Sequence, residues 1–458
     1  MEPSMLSNTS DTKTWPPGPA AGLTGWSLSR RMSKDMLATL SEWQQQFGSI
    51  FHVRVWPEHI VVVCDPALAR ELLVTNHSSL IRWERGIRVF AQLHGSSVLI
   101  AEGEKWTQKR RSLQPYFTPK YIRNTNKIII DVAQNALKAW PASEPNWRIE
   151  NALTSLTMDA IMQIMFSHGI GEANRKAEKA VQIASQAANA EFFAIASWPD
   201  WLPGKKRKAI QQLNQLIDHH IEARLQTAAN DWPEDFLSYL LHLQQAEPEK
   251  WPQKAIRDEC MTMFLAGHET TAATLTWWAW CMASNPGHQK KARDEISRVL
   301  QGMPPTHDQL AELHYLTQTI EETMRLYPAA PLLMTRRAIA PLNLGSWHFP
   351  ERTLFMIPLQ QIQGDGQWHS NPQEYCPERF NKDRKNAPRG AYAPFGMGQR
   401  VCLGQHLATA EIRAIAAMIL QRWTLSIPTG MKPPKPNLSV TLRPDTPLRL
   451  ALTPCSKF

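Results

Sequence analysis

The sequence predicts a mainly α protein with small β-sheets, an α+β class, on three observations. Helical pattern dominates from about residue 67 to 330. One run within it, residues 253 to 285, contains no proline. A segment rich in Val and Ile near the start of the chain, and further short stretches between 333 and 360 and at the C-terminus, read as strands.

Bulk composition agrees. The chain has 458 residues, 43% hydrophobic and 20% charged, an ordinary globular balance with enough length to bury a large core. The formal charge is +9 and the pI about 9.2, so the partners it admits are nucleic acid, anionic headgroups or an acidic protein. No dense Lys/Arg run with interleaved aromatics occurs, which argues against nucleic acid. Six cysteines, at 64, 260, 281, 376, 402 and 455, form no CxxC pair and no disulfide-like spacing. A reducing, cytoplasmic setting follows as the expectation.

The elements then read in order. The start, "MEPSMLSNTSDTKTWPPGPAAG", is polar and then proline-rich, without an apolar signal core or transmembrane anchor. Residues 1–15 are expected to be a flexible segment. Residues 16–458 are expected to form a single domain, since no repeat, low-complexity block or linker interrupts them. "GSIFHVRVWPEHIVVVCD" alternates and predicts a hairpin. The helical region breaks at "WPDWLPGKK" and "SNPGHQ".

Residues 253 to 285, at 1.5 Å per residue, span about 45 Å. The part from 260 to 284 is long enough to cross a bilayer, but Gly267, His268, Glu269, Thr270 and Thr271 lie near its middle. A central buried helix is the better reading, ended by Pro286-Gly287. Residues 386 to 401 read as an extended loop, 402 to 422 as helix, and "LSVTLRPDTPLRLAL" as strands.

Two stretches carry candidate chemistry. In "AGHETT", residues 266–271, a glycine weakens the helix and polar groups sit at buried depth. This is either a kink with satisfied side chains or a widening that admits a small ligand beside an acid and a hydroxyl. In "APFGMGQRVCLGQ", residues 393–405, glycines at 396, 398 and 404 permit close approach, and Cys402 opens a helix. A helix N-terminus favours thiolate over thiol, and Arg400 adds a cation. Sulfur to iron and guanidinium to propionate would suit a haem; a buried structural cysteine is the alternative.

Phe395-x-x-Gly398-x-Arg400-x-Cys402-x-Gly404 resembles the haem-ligand signature of the cytochrome P-450 superfamily. "AGHETT" resembles the family's oxygen-activation motif. Glu322 to Arg325, "ETMR", resembles its Glu-x-x-Arg, "PERF" at 377–380 the motif that meets that pair, and "WTQKRR" from Trp106 its Trp-x-x-x-Arg. The resemblance runs from about residue 16 to the end. It implies the family fold, a long central helix over a haem and the cysteine loop beneath it.

The resemblance also implies roles. Cys402 would ligate the iron of haem b, iron protoporphyrin IX. Trp106, Arg110 and Arg400 would meet the haem propionates, joined by Arg336 or its neighbour Arg337. Phe395, Gly398 and Gly404 would shape the loop, and Ala266 and Gly267 would give O2, the co-substrate, room. Thr270 would position a water and Glu269 relay a proton. Glu322, Arg325 and Arg379 would form a buried structural network that holds the cysteine loop. Departures from the pattern, "PERT" at 350–353, "QQIQGDGQW" and Cys376, separate the chain from well-known subgroups, and it looks more like soluble bacterial members.

The implied function is a haem-thiolate monooxygenase that inserts one atom of O2 into a lipophilic small molecule: a fatty acid, a terpenoid or another specialised metabolite. No flavin extension, nicotinamide fingerprint or iron–sulfur cysteine cluster is visible. Electrons, ultimately from NAD(P)H, are expected through a separate ferredoxin or flavodoxin-type donor. Lys109, Arg111, Lys382, Arg384, Lys385 and Arg389 are the candidate face for an acidic carrier. The expected pocket segments are about 83–99, 190–202, 261–270, 329–335 and 438–441. Phe192, Phe193, Trp198 and Trp201 suggest an apolar mouth, Leu332, Leu333 and Met334 an apolar wall, and Arg85 and Arg88 a carboxylate contact. Two alternatives stand beside this reading: atypical chemistry on the same fold (peroxide-driven oxidation, carbon–carbon coupling, dehydration), or a haem sensor or electron carrier.

Overall fold

Alternating apolar residues pair Ile50–Val55 with Glu58–Val63 as the expected antiparallel hairpin, Ile50 opposite Val63 and Val55 opposite Glu58. The computed structural model describes residues 15–168, 173–193, 204–381 and 387–455. Its residues cluster into two compact units, each built from discontinuous stretches of chain. The first comprises residues up to 83, 332–362 and 388–400.

The hairpin extends there into a five-stranded sheet. Ile60–Val62 runs parallel to Leu354–Met356, which pairs with Arg336–Ala338, which pairs in turn with Leu80–Arg82. Val61, Val63, Phe355, Ile357 and Phe349 are among the buried residues of its core. The proline-rich strap hydrogen-bonds to the edge strand: the His52 N–H donates to the Pro17 carbonyl at 2.9 Å. Trp15 stacks on His52 and His59 at 4.4 and 4.6 Å, so order begins inside the segment expected to be flexible. The remainder of that segment, 1–14, lies outside the described residues.

The second unit comprises residues 84–331, 363–387 and 401 onward. Its axis is the central helix, Gln253–Ser284, 32 residues long. Pro286 does more than end it, for it opens the next helix, Pro286–Leu300, at a position where proline costs no hydrogen bond. The indoles of Trp277 and Trp278 are fully buried and donate to the Leu442 carbonyl at 2.9 Å and Thr319 Oγ1 at 3.1 Å. Buried tryptophans need such partners for their N–H groups. Ile149–Phe166 packs along the helix. The predicted C-terminal strands form, Leu450–Pro454 pairing with Trp423–Ser426.

Three expectations shift. The cysteine helix is Gln405–Arg422 with Gly404 as its N-cap, so Cys402 lies three residues ahead of it. Leu80–Arg82 and Glu144–Trp147 are strands of three and four residues inside the stretch read as helical, too short for a twofold period to show. The "WPDWLPGKK" break falls largely outside the described residues, the helix Lys205–Leu225 resuming just beyond. No described helix is long and apolar enough to cross a membrane. All six cysteines are free.

Candidate active site

In the second unit the cysteine loop ends in the turn at Gly404, whose backbone N–H donates to the Cys402 sulfur. Cys402 has exposed surface, yet burial pushes its thiol upward, with the Gly404 N–H and Arg110 pulling back. A Cβ placed on Gly404 would meet nothing within 4 Å, which leaves open space beside the sulfur's turn.

The helix Gly103–Leu113 comes to this loop. Arg110 Nη1 donates to the Val401 carbonyl at 2.9 Å. Burial lowers the Arg110 pKa, and Cys402 opposes that. Trp106, half-buried, lies one turn earlier on the same face. The next residue back from Arg110 is spoken for. Lys109 pairs with buried Glu259 at 2.7 Å and lies 4.9 Å from the Trp251 ring centroid. It therefore leaves the set of cations offered to a carrier. Arg111 and Arg389 are exposed, while Lys382, Arg384 and Lys385 lie outside the described residues.

The central helix presents one anomaly. Ala266 is exposed although Leu265 and His268 beside it are buried. Thr270, one turn on, shares that face and donates its hydroxyl to the Ala266 carbonyl at 2.8 Å. Its oxygen lone pairs remain acceptors, so the hydroxyl can hold a water. Burial pushes the Glu269 carboxyl up, against the pull of Arg443, whose Nη2 donates to the Glu269 carbonyl at 3.3 Å. A Cβ on Gly267 would lie 2.7 Å from Ile161 Cδ1, so the missing side chain also permits close helix packing.

The first unit holds the other predicted residues. Gly396 and Gly398 have φ of 77° and 76°, and a Cβ on Gly398 would lie 2.3 Å from the Leu73 carbonyl oxygen. Glycine is required on both counts. Phe395 is half-buried, as is Arg400 at the end of the turn Gly398–Arg400. Strand alternation separates the rival arginines. Arg337 makes a bidentate pair with Glu58, at 2.7 and 3.0 Å, and donates to the Arg352 carbonyl at 2.9 Å. Arg336 points to the other face and donates to the Met334 carbonyl. Arg82, 3% exposed, sits directly opposite Arg336 and donates to Met334 Sδ at 3.6 Å. Two guanidinium groups opposed on one sheet face form an arrangement that an anion would stabilise.

The Glu-x-x-Arg pair is fully buried. Arg325 Nε and Nη2 donate to both Glu322 oxygens at 2.7 and 2.8 Å. Glu322 also accepts from the Cys376 N–H at 3.0 Å and Arg379 Nε at 3.2 Å, and Arg325 reaches the Gln363 carbonyl at 3.0 Å. The network anchors residues 363–379, the segment before the cysteine loop. In the expected pocket, Arg85 donates to the Glu191 carbonyl at 3.1 Å instead of facing water. Trp198 and Trp201 lie outside the described residues, as do the side chains of Phe192 and Phe193.

Sequence reasoning missed Arg82 and Arg443. Each is remote in sequence from the group it meets, and no local spacing marks either. The donor set fits a haem. Cys402 has exposed surface beside an open turn at Gly404, Ala266 is exposed on the central helix, and Arg110 reaches the cysteine loop. Among the described residues no group of three or more His, Cys, Asp and Glu could hold a metal.

This fold and this site define a haem-thiolate oxygenase class. The Cytochrome P450 family pattern matches residues 16–452, and the chain belongs to that family. It is 31% identical over 389 residues to cyclooctat-9-en-7-ol 5-monooxygenase of Streptomyces melanosporofaciens, covering 82% of this chain and 83% of that protein. It is 26% identical to the chloroplastic carotene epsilon-monooxygenase of Arabidopsis thaliana, over 85% of this chain and 76% of that one. To the cytokinin hydroxylase of Arabidopsis thaliana it is 27% identical, over 93% and 85%. The chain is accordingly a monooxygenase that uses O2 and reducing equivalents, takes a hydrophobic substrate and needs a redox partner.

Proposed function

We propose that this chain hydroxylates a terpenoid or a similarly compact lipophile in the cytoplasm, with haem b as cofactor. Its electrons come from NAD(P)H through a separate ferredoxin or flavodoxin. The observation that carries the oxygenase reading is the exposed Cys402 thiol inside a largely desolvated loop, with Arg110 beside it. The terpenoid reading rests on likeness to relatives named for a cyclooctatenol and a carotene. Residues 16–458 act as one haem-binding module.

Haem, when bound, supplies O2 activation and oxygen transfer. The chain's own groups do the rest. Cys402 offers the thiolate, its negative charge favoured by the Gly404 N–H and by Arg110. Arg110, Trp106, Arg336, Arg400 and Arg82 are the groups suited to holding carboxylates. Phe395, Gly398 and Gly404 keep the loop thin enough for close approach. Thr270 holds a water against the Ala266 face. Glu269, whose carboxyl burial pushes up, relays a proton inward, and Arg443 fixes the backbone at Glu269.

The experiment is a spin-state titration with terpenoids, carotenoid fragments and fatty acids, followed by turnover on the best binder. A terpenoid that shifts the Soret band and yields a hydroxylated product is expected. A shift confined to fatty acids would overturn the substrate reading and leave the class intact. With that substrate, Thr270→Ala is expected to keep NAD(P)H consumption near normal while product falls and hydrogen peroxide rises. Unchanged product per NAD(P)H would mean that the hydroxyl only packs the helix.

A further inference from the structure

A buried histidine stands at one end of the helix face that carries Ala266 and Thr270. Thr262, Ala266 and Thr270 follow one another at intervals of four, so they run along one side of the central helix. At 1.5 Å per residue, Thr262 lies about 6 Å beyond Ala266 and about 12 Å from Thr270. Its hydroxyl and His94 Nδ1 form a hydrogen bond of 3.2 Å. His94 is 7% exposed and Thr262 8%.

The backbone after His94 is pinned to the central helix. His94 ends the helix Glu84–His94. The Ser96 N–H donates to the Asp258 carboxylate at 2.8 Å, and the Val98 N–H donates to both Glu259 oxygens. Gly95, with φ of 56°, lies so close that a Cβ would sit 2.1 Å from the Asp258 carboxyl. Two polar groups are left over in this fixed turn. The one hydrogen bond of the His94 ring among the described residues is through Nδ1, which leaves Nε2 to meet a further partner. Ser97 is fully buried, and its hydroxyl has no partner among the described residues; its N–H donates to the His94 carbonyl at 3.3 Å. Buried polar groups are costly when unmet, so a ligand that meets them is favoured. Burial lowers the His94 pKa to about 4, which keeps the ring neutral near neutral pH. A neutral ring suits an uncharged oxygen better than a carboxylate.

We propose that His94 is a specificity-determining residue, and that the substrate is a lipophile already carrying a hydroxyl group, which His94 Nε2 binds while the opposite end of the molecule lies at Ala266 and Thr270. This rests on the oxygenase reading of the Thr270 face given above. A hydroxyl both donates and accepts, so it meets the imidazole in either tautomer, whereas a carbonyl meets only one. Thr262 fixes the ring through Nδ1 and is a positioning residue. The helix spacing then acts as a ruler: oxygen enters about 6–12 Å from the hydroxyl, at the far side of a compact skeleton. The product is a diol.

The test is spin-state titration of the holoprotein with two matched pairs: a polycyclic terpene and its monohydric alcohol, and a straight-chain alkane and its primary alcohol. In at least one pair the alcohol should bind about tenfold more tightly than the hydrocarbon, as one hydrogen bond to a buried group predicts. His94→Phe keeps a ring and loses both nitrogens, and should abolish that preference, with the carbon monoxide spectrum as the check on folding. Thr262→Val frees the imidazole to turn and should reduce the preference. A preference seen in the straight-chain pair alone would support the role of His94 and sink the terpenoid reading. Equal binding of alcohol and hydrocarbon in every pair that binds, a preference that survives both substitutions, or no shift with any of the four ligands would each overturn the proposal.

Discussion

Glu411 lies on the buried face of the cysteine helix, 2% exposed, and among the described residues its Oε1 finds no hydrogen-bond partner. Burial alone pushes its carboxyl up to about 8. The folded state therefore holds a proton that the unfolded chain, with its ordinary carboxyl near 4.5, releases. The contribution is intact below about 4.5 and is lost as pH rises from there through about 8. Glu411→Gln should raise the thermal midpoint relative to the natural chain, by more at pH 8 than at pH 5. Equal gains at both would mean that Glu411 does not titrate in this window. The two adjacent arginines give a second prediction. Arg336→Ala should weaken haem retention with little loss of stability, while Arg337→Ala, which strands Glu58, should destabilise the fold and leave haem affinity nearly unchanged. Haem transfer to apomyoglobin and thermal melts separate the two. At this scale the sequence was legible where chemistry fixes residue type and local spacing together, as at Phe395-x-x-Gly398-x-Arg400-x-Cys402. It was silent on Arg82 and Arg443, whose partners are reached only through folding.

At the scale of elements, the central helix is positioned by contacts that its sequence only half announces. Its length and burial follow from a proline-free, largely apolar run, and Gln253–Ser284 forms within a residue of expectation. Gly267 reads as a weak point, and only the Ile161 contact shows what the weakness admits. Gly267→Ala gains about 1 kcal/mol of helix propensity. Overpacking against a stiff β-branched neighbour costs about 1–3 kcal/mol. A net loss of about 1 kcal/mol is expected in urea denaturation, and a net gain would mean that Ile161 yields easily. Lys109 is the clearer case. Glu259 accepts from the Val98 N–H at 3.0 and 3.1 Å as well as from Lys109, so this carboxylate joins the loop before the Trp106 helix to the helix itself. Lys109→Met leaves a buried charge unpaired and should cost about 3–5 kcal/mol. A loss under about 1 kcal/mol, the surface-pair range, would contradict a buried staple. Spacing placed Lys109 on a docking face because burial cannot be read from a charge.

Over the whole molecule, the chain passes between the two contact units five times, at 83/84, 331/332, 362/363, 387/388 and 400/401. Neither unit is a continuous piece that could unfold without pulling on the other. One cooperative transition is expected, tryptophan fluorescence and Soret absorbance melting together; two separated transitions would make the units independent domains. The net charge of +9 acts at this scale too. Reduction by an acidic carrier should slow as ionic strength rises, and further when Arg111 or Arg389 is reversed in charge. The overall class was legible because helix length, strand alternation and proline placement are local signals. The division into units was not, because each unit is assembled from stretches that the sequence keeps far apart.

The central proposal is that the Cys402 thiolate would hold the iron of a haem. The direct measurement is the carbon monoxide difference spectrum of the reduced protein and of Cys402→His. The natural chain should show the red-shifted Soret band that requires thiolate ligation, and Cys402→His should bind haem without it. A band that survives in Cys402→His would place the ligand on another cysteine and contradict the account.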